Sequence, residues 1–380
     1  MAAACHAQPF VPDEYTVGPS GDGPDVQLTY NADQDYWPAW TQDGRGILYS
    51  FVSPGSKVGH RCLGLLPAAG GTRLWELCDN RATRDDSVSS YSAYALDANG
   101  RLLVAEAVSG ARFNELPTHT TLWLADTAAP YARTTLLALP VQADTTLVDW
   151  LSEITWTGPN TFLALGQRFT TAPSCLACGG RPDSAFVVAG GVVIRGTIAG
   201  GHAAIAAVAG TAGATAYSLA EGGSAIVFTL AHDLVLHKVP VAGGSPVPTP
   251  QPAAHDTLAN QVGELVGVSC RAEVCITARD GIIVTANYWQ LVPVFGWQYT
   301  IAIGSVLPQG KMELRRVSLL DGSDVIIRTG PAVYATPLMS PTSDDVVVAV
   351  GGAWGHLQTR QGPGPGGQGT LMLYRGLAAP

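Results

Sequence analysis

Lysine is nearly absent. Only Lys57, Lys238 and Lys311 occur in 380 residues, and charged side chains make up 13% of the chain against 47% apolar. With 21 basic and 30 acidic residues the formal net charge is −9. A nucleic-acid binder neutralises phosphates with a basic face, and this composition supplies none. Missing too is any run of about 18 apolar residues free of Gly and Pro, the length a helix needs to cross a bilayer. No stretch of about ten residues combines helical periodicity with caps. Nor is there a Gly-x-Ser-x-Gly elbow, a P-loop, a dinucleotide fingerprint or a His-Glu-x-x-His pair. No catalytic residue, cofactor-binding residue or metal ligand can therefore be nominated.

What is present in quantity is turn chemistry, with 44 glycines and 26 prolines. Between the turns, apolar residues recur with period two in segments rich in Val, Ile, Leu, Thr and aromatics. Gly46–Phe51, Leu102–Ala105, Ala225–Leu230 and Val346–Val350 are examples. The pattern predicts an all-β chain, and its strands recur as a unit of roughly 50–70 residues, which suits the blades of a propeller.

The sharpest copy is Asp35-Tyr36-Trp37-Pro38-Ala39-Trp40-Thr41-Gln42-Asp43-Gly44-Arg45-Gly46-Ile47-Leu48-Tyr49. It resembles the TolB-type, WD40-like propeller repeat, D-x-x-P-x-W-S-P-D-G-x-x-I-x-F, with Thr41-Gln42 in place of Ser-Pro and Tyr49 in place of Phe. Asp43-Gly44 has a physical reason, since a tight turn between strands needs a residue that tolerates positive φ. Weaker copies follow around Tyr94, Trp156, Tyr217, Val268 and Pro337, making six. The resemblance implies a six-bladed β-propeller over 26–376. Blade six ends near Tyr374 one strand short, so Val26–Tyr30 is expected to complete it and remove the open edges. Residues 1–25 read as a tether.

Six of the seven cysteines form local pairs. A turn centred on Gly70 sets Cys62 opposite Cys78, within disulfide reach. Cys270 and Cys275 bracket a second tight turn. Cys175 and Cys178 make one CxxC in a loop, which could be half a zinc site or a redox pair. No second Cys or His pair and no helix start accompany it, so three structural disulfides in an oxidising compartment are the preferred reading. Cys5 follows Ala2-Ala3-Ala4, resembling the end of a bacterial lipoprotein signal. That resemblance implies export and lipidation at Cys5, the alternative being a chance cysteine.

Antiparallel strands alternate ends, so a blade's first and third turns share one face and its middle loop lies on the other. The first and third turns read as short: Ala68–Gly71, Asp97–Gly100, Ala189–Gly191, Glu221–Gly223 and Gly243-Gly244. The middle loops are long in blade two (108–119), blade three (167–183) and blade six (351–369), and short in blade four (231–233). In blade five, 281–310 lacks every Asp, Glu, Lys, Arg and His, and holds Tyr288, Trp289, Phe295, Trp297 and Tyr299. It reads as an inserted aromatic hairpin, either a partner-binding surface or an extension of the core. His232 and His237 read as opposite faces of one strand. Arg315-Arg316 and Asp344-Asp345 read as solvated charges.

The expectation is an exported, periplasmic or membrane-tethered propeller. It would act without catalysis as a protein-binding or scaffold subunit of the bacterial envelope, docking a protein partner, in or out of a membrane complex, and no nucleic acid. The alternatives are a metal-dependent hydrolase or lactonase, since six-bladed propellers include enzymes with channel ligands, and a carbohydrate or peptide sensor.

Overall fold

A computed structural model describes residues 25–29, 35–52, 61–78, 87–110, 117–171, 186–230, 233, 235–250, 261–283, 289–294, 297–302, 311–330, 333–351 and 370–377. Its strands form six four-stranded antiparallel sheets and two small hairpins. The chain is a six-bladed β-propeller. Blade one comprises Asp35–Trp40, Gly46–Val52, Arg61–Pro67 and Trp75–Cys78, from the centre outward. Blade two is Ser87–Leu96, Arg101–Gly110, Pro117–Asp126 and Ala129–Leu139; blade three is Trp150–Gly158, Thr161–Thr171, Phe186–Ala199 and His202–Ala207. Blade four is Ala214–Ala220, Ala225–Leu230, His237–Pro240 and Val247–Pro248; blade five is Gln261–Arg271, Val274–Ile283, Lys311–Ser318 and Asp324–Gly330.

Blade six consists of Val333–Met339, Val346–Gly351 and Thr370–Tyr374, and its outermost strand is Asp25–Gln27 from the other end of the sequence. Val26 pairs with Leu373, the Leu28 N–H donates to Leu371 O at 2.8 Å, and the Leu371 N–H donates to Thr29 Oγ1 at 3.0 Å. Val26 and Leu28 are buried with Leu371, Leu373, Ile47 and Tyr49, so the closing strand also carries part of the core between blades six and one. The expected closure is therefore observed, and it gives the outer edge of blade six a partner.

The turns follow their chemistry. Gly44 has φ +69°, and the Asp43 carboxylate accepts from Thr41 Oγ1 at 2.6 Å and from the Arg45 N–H at 3.0 Å. The Thr41 hydroxyl holds the Asp43 carboxyl below its ordinary range, against the opposing effect of burial and helped by the Arg45 N–H. Blade two repeats the device. Asp97 Oδ1 accepts from the N–H groups of Asn99 and Arg101 at 2.9 and 2.8 Å, and Gly100 sits at φ +82°.

Several local expectations are corrected. Gly190-Gly191 is not a turn. The third strand of blade three continues through it with a register slip, Gln167 opposite Gly191 and Phe169 opposite Val188, and the turn falls at Gly200-Gly201. A Cβ on Gly191 would lie 2.3 Å from Ala214 O, and the Gly213 N–H donates to Gly191 O at 2.7 Å, so this glycine lets blades three and four approach. Arg315 is not a solvated edge charge; it is buried and donates from Nε to Asp324 Oδ1 at 2.7 Å. Blade four's second strand ends at Leu230 and its third begins at His237, so the connection runs over 231–236 rather than 231–233. His237 opens the third strand and pairs with Asp233 Oδ2 at 2.9 Å, whereas His232 lies outside the described residues.

Candidate functional site

The innermost strands of all six blades enclose a central channel with a cavity of about 470 Å³. Each strand reaches it in the same manner. Where it pairs with its blade's second strand, the register slips, between Tyr36/Ala39, Tyr91/Ala93, Ser152/Thr155, Ala214/Ala216, Leu265/Gly267 and Ala335/Leu338. A bulge bends its strand and raises local twist, so six of them curve the inner strands around the axis and re-aim side chains toward it.

In two bulges a non-glycine residue takes the left-handed conformation, Trp37 at φ +46° and Glu153 at φ +53°. Both are held identically by the next blade. The Tyr94 hydroxyl donates to Trp37 O, and the Tyr217 hydroxyl donates to Glu153 O. Thr155 Oγ1 lies 3.3 Å from the same hydroxyl, and the Tyr217 backbone N–H donates to Glu153 Oε2 at 2.9 Å. Comparable bonds stitch the other blades: Ser92 Oγ to Leu151 O at 2.8 Å, Trp156 Nε1 to Ala95 O at 3.2 Å, and the Cys270 N–H to Ser218 Oγ at 2.8 Å. The Met339 N–H donates to Ser269 Oγ at 2.9 Å, and Trp40 Nε1 to Leu338 O at 2.9 Å, which completes the ring.

Two charged residues line the channel among those described, Glu153 and Arg271. Arg271 is engaged, donating from Nη1 to Ser343 O at 2.6 Å and pairing with Asp344. Glu153 keeps partial exposure toward the channel, yet protein surrounds it closely enough that burial pushes its carboxyl up to about 7, against the Tyr217 N–H bond that favours the ionised form. Burial, with the neighbouring Glu153 charge, also raises the Tyr217 phenol, so it stays a protonated donor.

The residues nominated from sequence lie elsewhere. Cys62 and Cys78 form a disulfide between the third and fourth strands of blade one, Cα–Cα 4.4 Å, in the expected opposed register. Cys270 and Cys275 form another across the first turn of blade five, Cα–Cα 4.0 Å. Cys5, Cys175, Cys178, Tyr288 and Phe295 fall outside the described residues. Trp289, Trp297 and Tyr299 lie in a two-stranded hairpin, Trp289–Val294 with Trp297–Ala302, between the second and third strands of blade five, with Trp289 opposite Ala302 and Tyr299 opposite Val292. Sequence reasoning passed over Glu153. A signal existed: the buried positions run Leu151, Ile154, Trp156, and the spacing of three breaks the alternation where the bulge sits.

No family model matches the sequence, and no curated protein matches it. Solved structures similar to the chain include a luciferin-regenerating enzyme, at 12% identity over 96% of this chain and 93% of that one, TM-score 0.49. Others are a gluconolactonase from Xanthomonas campestris, at 10% identity over 92% and 88%, TM-score 0.48, and TolB from Acinetobacter baumannii, at 10% over 88% and 64%, TM-score 0.47. The six-bladed architecture stands on the strand pairing itself. At such identities these likenesses carry no argument about activity or partners.

Proposed function

We propose that the protein is a non-catalytic binding subunit of the bacterial cell envelope that docks a protein partner on one face of the propeller. The observation behind this reading is the distribution of connections. Antiparallel order assigns to one face every link between second and third strands, including 172–185, 284–310 and 352–369. The links on the opposite face are only short turns, the longest being 68–74, and the chain enters Asp25–Gln27 from that side. Long connections on a rigid scaffold are where binding concentrates. Two short-range disulfides support export to an oxidising compartment, with residues 1–24, ahead of the closing strand, as a tether and Cys5 as its lipid attachment point. A calcium-dependent enzyme is the weaker reading, because Ca²⁺ takes six to eight oxygen ligands. Among the described residues Glu153 is the one carboxylate lining the channel, and no three of His, Cys, Asp and Glu gather to hold a metal.

The test uses the aromatic hairpin. Trp289→Ser with Trp297→Ser should abolish co-purification of the partner from native membranes while the melting temperature of the propeller stays unchanged. Retained co-purification would refute the docking role, and loss of folding would assign the hairpin to the core.

A further inference from the structure

We propose that the central channel binds a small organic ammonium ion, with Glu153 as its counter-charge. The inference concerns the channel, independently of the docking face. A cavity of about 470 Å³ falls within the size range of small-molecule pockets. Its wall includes the partly exposed Trp37, Trp40 and Trp150 and the buried Trp156, Tyr94 and Tyr217. Aromatic rings attract a cation while also meeting the apolar body that carries it.

The charges select the class. Arg271 is committed to Ser343 O and Asp344, whereas no cation pairs with Glu153 among the described residues. Its bond from the Tyr217 N–H occupies one of the roughly four acceptor positions of a carboxylate. An anion would face this carboxylate without a second cation to hold it. A hard divalent cation would lack most of its oxygen ligands. An organic ammonium ion needs one carboxylate and an aromatic wall, and the channel offers both. The backbone points to the same place. Glu153 and Trp37 hold an unfavourable left-handed conformation that the Tyr217 and Tyr94 hydroxyls maintain, and strain of this kind collects at ligand sites.

Binding should require the ionised carboxylate. The other titratable or charged groups lining the channel are Tyr94, Tyr217 and Arg271, with Cys270 held in its disulfide. Tyr217 is raised further from neutrality, and Glu153 is the lining group whose charge changes between pH 5.5 and 8. With its carboxyl at about 7, its ionised fraction falls about thirtyfold over that interval.

Isothermal titration of the full chain with choline, tetramethylammonium and benzyltrimethylammonium chlorides, at constant ionic strength, tests this. Saturable binding of at least one probe is expected at pH 8, weakening about thirtyfold at pH 5.5. Glu153→Gln should abolish it, and dimethylbutanol, the neutral isostere of choline, should not bind. Absence of binding by all three at pH 8, equal affinity in Glu153→Gln, or equal affinity for the neutral isostere overturns the proposal. Should Glu153→Gln fail to fold, a pH-independent affinity in the native protein overturns it equally.

Discussion

Glu153 should make the propeller less stable as pH rises, and Glu153→Gln should remove that dependence. The sign follows from where the proton sits. The carboxyl ordinarily titrates at 4.5, and burial in the channel wall pushes it up to about 7. Between those values the folded protein holds a proton that the unfolded chain has released. Stability contributed by this group therefore falls with rising pH, and the loss is complete above the folded value. Each unit of that rise, from 4.5 to about 7, is worth 1.36 kcal/mol, so an ionised Glu153 costs the folded state about 3 kcal/mol relative to glutamine. Glutamine keeps an oxygen to accept the Tyr217 N–H and never ionises, so the scaffold contact survives.

Unfolding entropy of roughly 2.1 cal/mol/K per residue amounts, over the 380-residue chain, to about 0.8 kcal/mol/K. A stabilisation of 3 kcal/mol then corresponds to about 4 °C. Calorimetric melts of the two proteins, in ligand-free buffer at matched ionic strength, should coincide within error at pH 4.5. At pH 8 the Gln variant should melt up to about 4 °C higher. Every other titrating group is common to both proteins and cancels in the difference. A difference that does not change with pH, or a variant that loses ground at pH 8, would refute the claim that Glu153 is a carboxylate strained by burial.

Two further predictions concern the frame. Leu28→Ala should cost about 2–5 kcal/mol by urea unfolding, since Leu28 is 1% exposed within the closing cluster; a change below 1 kcal/mol would mean that the terminal strand does not hold the ring shut. Tyr94→Phe and Tyr217→Phe should each cost about 1–2 kcal/mol, because each removes the hydroxyl that satisfies a bulge carbonyl of the preceding blade. Both variants keep the Tyr217 N–H that meets the Glu153 carboxylate, so the pH dependence assigned to Glu153 should survive in each, and its loss in the Tyr217 variant would mean that the phenol rather than burial sets it.

What could be read from the sequence was whatever local chemistry alone decides. A hairpin turn fixes its own register, so the opposition of Cys62 and Cys78 follows from the position of the turn, and the ring closure follows from one strand missing at one end and one spare at the other. Gly191 resisted because two demands select the same residue. Glycine serves a turn through its dihedral freedom and serves a close approach through its missing Cβ, and only the position of Ala214 on the neighbouring blade distinguishes them. Arg315 resisted for the related reason that its partner, Asp324, is set by strand register.

The channel site was the hardest to foresee, since it belongs to no single segment. Period-two alternation assigns each inner-strand side chain to one blade face or the other, and a strict alternation would sort Glu153 with Leu151, which is fully buried. The bulge between Ser152 and Thr155 breaks that sorting and brings Glu153 to the channel wall. The same slip puts Trp37 into the left-handed region two blades away. Every inner strand carries a bulge, but a left-handed non-glycine residue does not accompany each, and blade two meets the same bend with Ser92 and no such residue. The curvature thus explains six bulges but not the identity of the two strained residues. Each strained residue also gives its carbonyl to a tyrosine of the next blade, which serves the frame, and what that service leaves over is one carboxylate and one indole on a shared channel, where the proposed ammonium ion would sit.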